Sequence, residues 1–324
     1  MKFKRVFLIV LDSLGVGEAI DAKNWDDEGA STLGHILEYN PIDYPNLEKM
    51  GFLNLVGFKN IEKTDSYYTK AHPKANGKDT LTGHLEMMGI RTLIPFKTFT
   101  NTGFPKELID ELEKRCGRKI IGNCNASGTE IIKELGEEQM NTGALIVYTS
   151  ADSVLQIAAH EDIIPLEELY KDCEIARELT LRDEWKVGRI IARPYVGKPG
   201  NFVRTGNRKD YALDPVSNTV LDNLKNGGYS VIGIGKISDI FNSCGITKTT
   251  HTGDNQEGID LILNTLDEEF NGLCFANLND YQARPGAGNG ICQDITCLSW
   301  LQSECCSCCK AALYSPQYFP VSDG

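Results

Sequence analysis

Short apolar runs alternate along this chain with stretches whose apolar residues recur at helical spacing. Val6–Leu11 is an unbroken apolar run closed by Asp12, the pattern of a strand buried on both faces. Similar runs occupy 119–122, 144–152, 189–196, 229–235 and 273–278. Between them, 31–39, 105–116, 165–180, 217–226 and 257–271 read as helices. Ser31 or Thr32 suits the cap of the first. Pro105 suits the first turn of the second, with acids early, bases late and Gly117 to stop it. Gly227-Gly228 closes the 217–226 helix.

Strands alternating with helices predict an α/β fold. Residues 99–214 carry strands and helices of their own and read as an inserted domain, flanked by core segments 1–98 and 215–280. From 281 to 324 the periodicity disappears. Gln282–Gly290 has no apolar pattern, and Cys297–Leu301 is apolar without a stable context. Nothing in that tail reads as the next strand or helix of a sheet.

Composition narrows the class. At 324 residues the chain suits two domains, and 41% hydrophobic with 24% charged residues is ordinary for a globular protein. A net charge of −12 argues against a nucleic-acid partner, whose phosphates demand basic patches, but leaves room for a local cluster that holds a small phosphate. The first apolar run is too short for a signal peptide or a membrane span, so a cytoplasmic protein without membrane contact is expected. Of 11 cysteines, Cys116, Cys124, Cys173, Cys244 and Cys274 are scattered as in a reducing compartment, and the other six crowd into 292–309. Cys305-Cys306-Ser307-Cys308-Cys309 fits zinc poorly, because structural sites space their ligand pairs and draw the second pair from elsewhere.

Two segments carry candidate chemistry. In Gly77-Lys78-Asp79-Thr80-Leu81-Thr82-Gly83-His84, two hydroxyls lie among a lysine, an aspartate and a histidine on what reads as a Gly-flanked loop. A threonine hydroxyl becomes a nucleophile only when a base or metal activates it, and glycines let backbone approach a phosphate. Asp12, at the end of the first strand, stands where open α/β sheets place their ligands. Carboxylate and hydroxyl together suggest metal-assisted phosphoryl transfer. Thr82 reads as a supporting hydroxyl and His84 as a structural loop histidine. Asp152 has the alternative of capping a helix from Ser153 onward. Gly15-Val16-Gly17 lacks the third glycine of a dinucleotide loop, since Ile20 stands there.

Four stretches, Val10–Ala19, Gly77–Gly89, Tyr148–Glu161 and Arg189–Tyr211, together with Gly235–Ile240, make the chain resemble the bacterial phosphopentomutase family of the alkaline phosphatase superfamily, over about residues 2–280. The resemblance implies an alkaline-phosphatase-like core sheet with an inserted α/β cap domain and a site for two Mn²⁺ ions. It implies that Thr80 is the phosphorylated nucleophile and a metal ligand, and that Asp12 is the first metal-binding aspartate. Sugar-phosphate contacts fall on Ser150, Asp152, Val154, Arg189, Arg204 and Lys236. The implied activity is interconversion of (deoxy)ribose 1-phosphate and 5-phosphate, in nucleoside catabolism, with small sugar phosphates as partners.

The chain departs from the family's later motifs. After Asn277-Leu278-Asn279-Asp280, Gln282 stands where aspartate is expected and Ala287 where histidine is expected. Asp-His-Gly does not occur, and no histidine follows His251. Two readings therefore stand side by side. One is a phosphopentomutase. The other is an inactive relative, with a tail that reads as an out-of-frame translation and with at most weak sugar-phosphate binding.

Overall fold

Each apolar run expected to be a strand is one. The computed structural model describes residues 3–12, 14–39, 45–64, 66–77, 79–150 and 152–278, and the backbone of 309–314. The strands are β1 Arg5–Leu11, β2 Ile120–Asn125, β3 Leu145–Thr149, β4 Val154–His160, β5 Arg189–Lys198, β6 Asn201–Arg204, β7 Lys209–Ala212, β8 Ser230–Ile234, β9 Lys248–Thr250, β10 Gly272–Leu278 and β11 Cys309–Tyr314. The helices are α1 Thr32–Tyr39, α2 Pro45–Lys49, α3 Thr80–Met87, α4 Lys106–Cys116, α5 Gly128–Thr142, α6 Leu166–Leu179, α7 Val220–Asn226, α8 Ile237–Ile240 and α9 Asn255–Asp267. The fold is α/β. None of the described helices is long and apolar enough to cross a membrane.

The chain divides into two compact units, one of residues 1–93 with 215–324 and the other of 94–214. The first holds a sheet of order β11-β1-β10-β8-β9, parallel throughout. Parallel strands are buried on both faces, and all of β10 is, which explains its unbroken apolar sequence. Phe7, Ile9 and Leu11 of β1 pack with Ile232, Ile234, Ala276, Leu278 and the α9 residues Ile259 and Ile262. Asp254 caps α9 by accepting from the Glu257 amide, so the helix starts before the expected 257.

The second unit holds a mixed sheet of order β2-β3-β4-β5-β6, with β7 on β5. The β3–β4, β5–β6 and β5–β7 pairs are antiparallel, and β2–β3 and β4–β5 are parallel. Leu108 and Leu112 of α4 and Leu169, Cys173 and Ala176 of α6 cover it with fully buried side chains. Gly117 ends α4 at φ 70°, the left-handed conformation expected of it.

Two sequence expectations fail here, for Thr80 and for the tail, and the alternative of a helix capped by Asp152 falls. Thr80 lies not on a loop but in the first turn of α3. No helix starts after Asp152, because Val154–His160 is a wholly buried strand held between β3 and β5. The tail, expected to contribute no strand, places the backbone of 309–314 beside β1 in parallel, Arg5 opposite Cys309. The cluster weighed against zinc, Cys305, Cys306 and Cys308 with the side chain of Cys309, lies outside the described residues, as do Gln282 and Ala287.

One buried acid tests the packing of α4 on α6. Asp172 is 3% exposed, and its Oδ2 has no hydrogen-bond partner among the described residues. Burial pushes its carboxyl up to about 6, against a hydrogen bond from the Cys116 thiol. A raised carboxyl stabilises the fold while protonated, and that contribution is lost as pH rises from the unfolded value through about 6. Asp172→Asn should therefore be nearly neutral at about pH 4 and stabilise by about 1–2 kcal/mol at about pH 8, discounted for screening by neighbouring charges. Denaturant melts at the two pH values check this. An equal effect at both would refute it.

Candidate active site

Parallel pairing brings the carboxyl ends of β1 and β10 together. Leu11 lies opposite Leu278 and Val10 opposite Asn277, and the Asp12 amide donates to the Leu278 carbonyl at 2.9 Å. Asp12 thus emerges at the carboxyl edge of the sheet, 4% exposed. Gly235 closes the neighbouring end of β8. Its φ is 75°, and a Cβ there would stand 2.4 Å from the Asn277 carbonyl oxygen, so only glycine lets the turn that carries Lys236 come this close.

Helix α3 brings Thr80 to the same edge. Asp79 is its N-cap, accepting from the Thr82 amide at 2.9 Å through Oδ1 and from the Thr82 hydroxyl at 2.7 Å through Oδ2. The Thr82 hydroxyl is thereby committed to the cap and buried, which agrees with a supporting role. Gly77, at φ 135°, leaves 3.0 Å between a would-be Cβ and that hydroxyl oxygen. Thr80 instead directs its hydroxyl to Asp12, at 3.3 Å from Oδ2 and 3.5 Å from Oδ1. These long contacts leave the hydroxyl loosely held, beside a carboxylate and at the positive end of a helix.

Two residues complete the cluster. His84, one turn along α3, is fully buried, stacks on Phe275 with centroids 5.7 Å apart, and sets Nδ1 2.7 Å from the Thr80 carbonyl oxygen. Its Nε2 lies 3.2 Å from Asn277 Nδ2, which also donates to Asp12 Oδ2 at 3.4 Å. Burial lowers the His84 pKa, against the pull of the Asp12 charge. His84 is thus no loop histidine. It sits on a helix and was misread because the Gly-rich segment hid α3. In sequence Asn277 carries only the signal of a strand end.

The remaining expected site residues, except Lys236, lie in the second unit. Val154 opens β4 opposite Arg189, the first residue of β5, with Ser150 and Asp152 just before it. Arg189 is paired to Asp152 at 3.3 Å and to Asp210 at 3.9 Å. Arg208 grips Asp210 with two contacts of 2.6 Å. Those partners hold Asp210 below the usual carboxylate range although burial works the other way. Arg204, exposed at the end of β6, lies near Tyr148. Arg193 was not anticipated, since its sequence signal was that of a strand. It is mostly buried, donates to Gln156 at 2.9 Å, and is pushed down to about 10 by burial and then by Arg208. The second unit therefore gathers four arginines, Arg189, Arg193, Arg204 and Arg208, near two aspartates. Lys236 belongs to the first unit, close enough to His84 to oppose its protonation.

A model of the Metalloenzyme superfamily matches residues 4–283, most of the chain. The chain belongs to the Metalloenzyme superfamily. Membership supports an enzyme of the metal-dependent phosphotransferase or mutase type and implies a metal cofactor. The donors at the sheet edge fit such an ion in kind, since a carboxylate and a hydroxyl are hard oxygen ligands suited to a hard divalent cation. In number they are few. Among the described residues no group of three or more His, Cys, Asp or Glu side chains could hold a metal.

Proposed function

We propose that this Metalloenzyme-superfamily site is that of a phosphopentomutase, which interconverts (deoxy)ribose 1-phosphate and (deoxy)ribose 5-phosphate through a phosphothreonine and a bisphosphate. The observation that carries this reading is the Thr80 hydroxyl in the first turn of α3, against Asp12. Phospho-Thr80 gives its phosphoryl group to the free sugar hydroxyl. The P–O bond to Thr80 Oγ1 breaks, one to the sugar oxygen forms, and Thr80 then accepts the other phosphoryl group of the bisphosphate. Bound manganese, held by Asp12 and Thr80, would neutralise charge on the transferring oxygens and lower the pKa of the hydroxyl.

The chain's own groups supply the rest. Asp12 accepts from the Thr80 hydroxyl and orients it. The N-terminus of α3 favours the negative charge of the phosphorylated state. Arg189 and Arg204 suit bidentate contact with a phosphate. With Ser150, Asp152 and Val154 they hold the sugar phosphate in the inserted cap of 99–214, and Lys236, in the first unit, is the further phosphate contact that the resemblance implies. The protein works in the cytoplasm on small sugar phosphates, without nucleic acid or membrane.

A second reading, favoured by the small donor set among the described residues and by Gln282 and Ala287, is a relative that binds sugar phosphate without turning it over. The test is to incubate the chain with Mn²⁺ and ribose 1,5-bisphosphate, and to measure phosphate on the Thr80 peptide by mass spectrometry beside ribose 5-phosphate binding. Phosphate on Thr80 supports the mutase. Binding with unmodified Thr80 supports the second reading, and neither result overturns both.

A further inference from the structure

We propose that Asn277 and His84 are positioning residues that hold the Asp12 carboxylate and the Thr80 turn in register with each other. This rests on the reading of Asp12 and Thr80 given above. The four residues come from three elements and close a loop of contacts. Thr80 Oγ1 reaches Asp12 at 3.3 Å, and Asn277 Nδ2 reaches Asp12 at 3.4 Å and His84 Nε2 at 3.2 Å. His84 Nδ1 closes it on the Thr80 carbonyl at 2.7 Å.

Donor and acceptor roles in this loop follow from chemistry. A carbonyl oxygen only accepts, so His84 Nδ1 carries the proton. The Asn277 atom facing both a carboxylate oxygen and the other ring nitrogen must be the NH₂, because its oxygen would repel the carboxylate. Nε2 is therefore a bare lone pair that accepts. Each amide hydrogen of Asn277 then has one destination, Asp12 or His84. A rotation of either side chain breaks two contacts, so the loop fixes both rotamers.

A packing role alone does not account for this pair. Asn277 and His84 are 1% and 0% exposed. Burying an amide and an imidazole costs free energy, and an apolar pair of the same shape would serve the core as well or better. Asn277 Oδ1, moreover, is buried with no hydrogen-bond partner among the described residues, a further cost that packing does not recover. What the pair accomplishes is to tie β10 to the first turn of α3 across the carboxylate. Groups that orient a metal-binding carboxylate in this way typically set affinity by 10–100-fold.

The experiment titrates the full chain with Mn²⁺ alone and counts free ion by its EPR signal, with thermal melts as a check on folding. Asp12→Asn should abolish binding. Asn277→Leu, of similar shape, should weaken it about 10–100-fold with the melt little changed. His84→Leu should do the same, whereas His84→Gln, whose Oε1 can stand where Nε2 accepts, should return affinity close to that of the unaltered chain. If Asn277→Leu and His84→Leu bind as the unaltered chain does while Asp12→Asn does not, the positioning role is wrong and the active-site reading stands. Equal loss in His84→Gln and His84→Leu also overturns the role, by showing that bulk alone matters. Binding that is absent from the unaltered chain, or independent of Asp12, overturns the active-site reading and this proposal with it.

Discussion

Thr80→Ala should lower phosphoryl transfer by about 10⁴–10⁶-fold, the loss seen when a nucleophile is removed and only the surrounding binding groups remain. No phosphoenzyme can form without the Thr80 oxygen, so mass spectrometry should find the helix α3 peptide unphosphorylated. Thr82→Ala is the control. Its hydroxyl is spent on the Asp79 cap at 2.7 Å, so the expected cost is about 1 kcal/mol of stability, with turnover still measurable. Both variants are best compared in a version in which the family's Asp-x4-His and Asp-His-Gly segments follow Asp280. Equal loss in the two variants would remove the reason for choosing Thr80 over Thr82. Full activity in Thr80→Ala would exclude the mechanism.

The second large effect concerns the chain with its own tail. Against the version carrying those segments, it should interconvert ribose 1-phosphate and ribose 5-phosphate at least about 10³-fold more slowly at any manganese concentration, because losing even an outer partner of a metal ligand costs 10–100-fold. Mn²⁺ takes about six ligands from carboxylate, imidazole and water. On the proposed reading Asp12 and Thr80 would supply two groups, and the sequence after His251 offers no imidazole. The tail cysteines are soft donors, poorly matched to manganese. Assaying both forms after stripping and restoring the metal settles the matter. Comparable turnover would show that residues after Asp280 act as ligands of a kind the family does not use.

Legibility differed sharply between elements. Helix α4 was readable to within a residue, because Pro105, the acid-to-base gradient and Gly117 are local signals that need no tertiary contact. Helix α3 was not. Its eight residues include two threonines, a glycine and a histidine, which carry little helical propensity. Its His84 packs on Phe275 of β10, a contact no local signal announces, and the Asp79 cap starts the helix in place of a turn. β4 was hidden for a related reason. Val154–His160 is apolar enough for either a short helix segment or a buried strand, and only its neighbours β3 and β5 decide between them.

The sequence by itself determined the α/β alternation, the extents of α4 and α6 though not the existence of α5, and the placement of Asp12 at the end of a buried strand. Each of these follows from periodicity or from a residue's own backbone preference, which act over a few positions. Only the tertiary structure decided that Thr80 faces Asp12, that Thr82 is spent on a cap, and that His84 and Asn277, 193 positions apart, meet beside the same carboxylate. Register between parallel strands and the docking of a short helix on a sheet edge depend on burial summed over the whole core. No window of the chain contains that sum, so the partners of a buried polar group stay invisible until the fold brings them within hydrogen-bond reach.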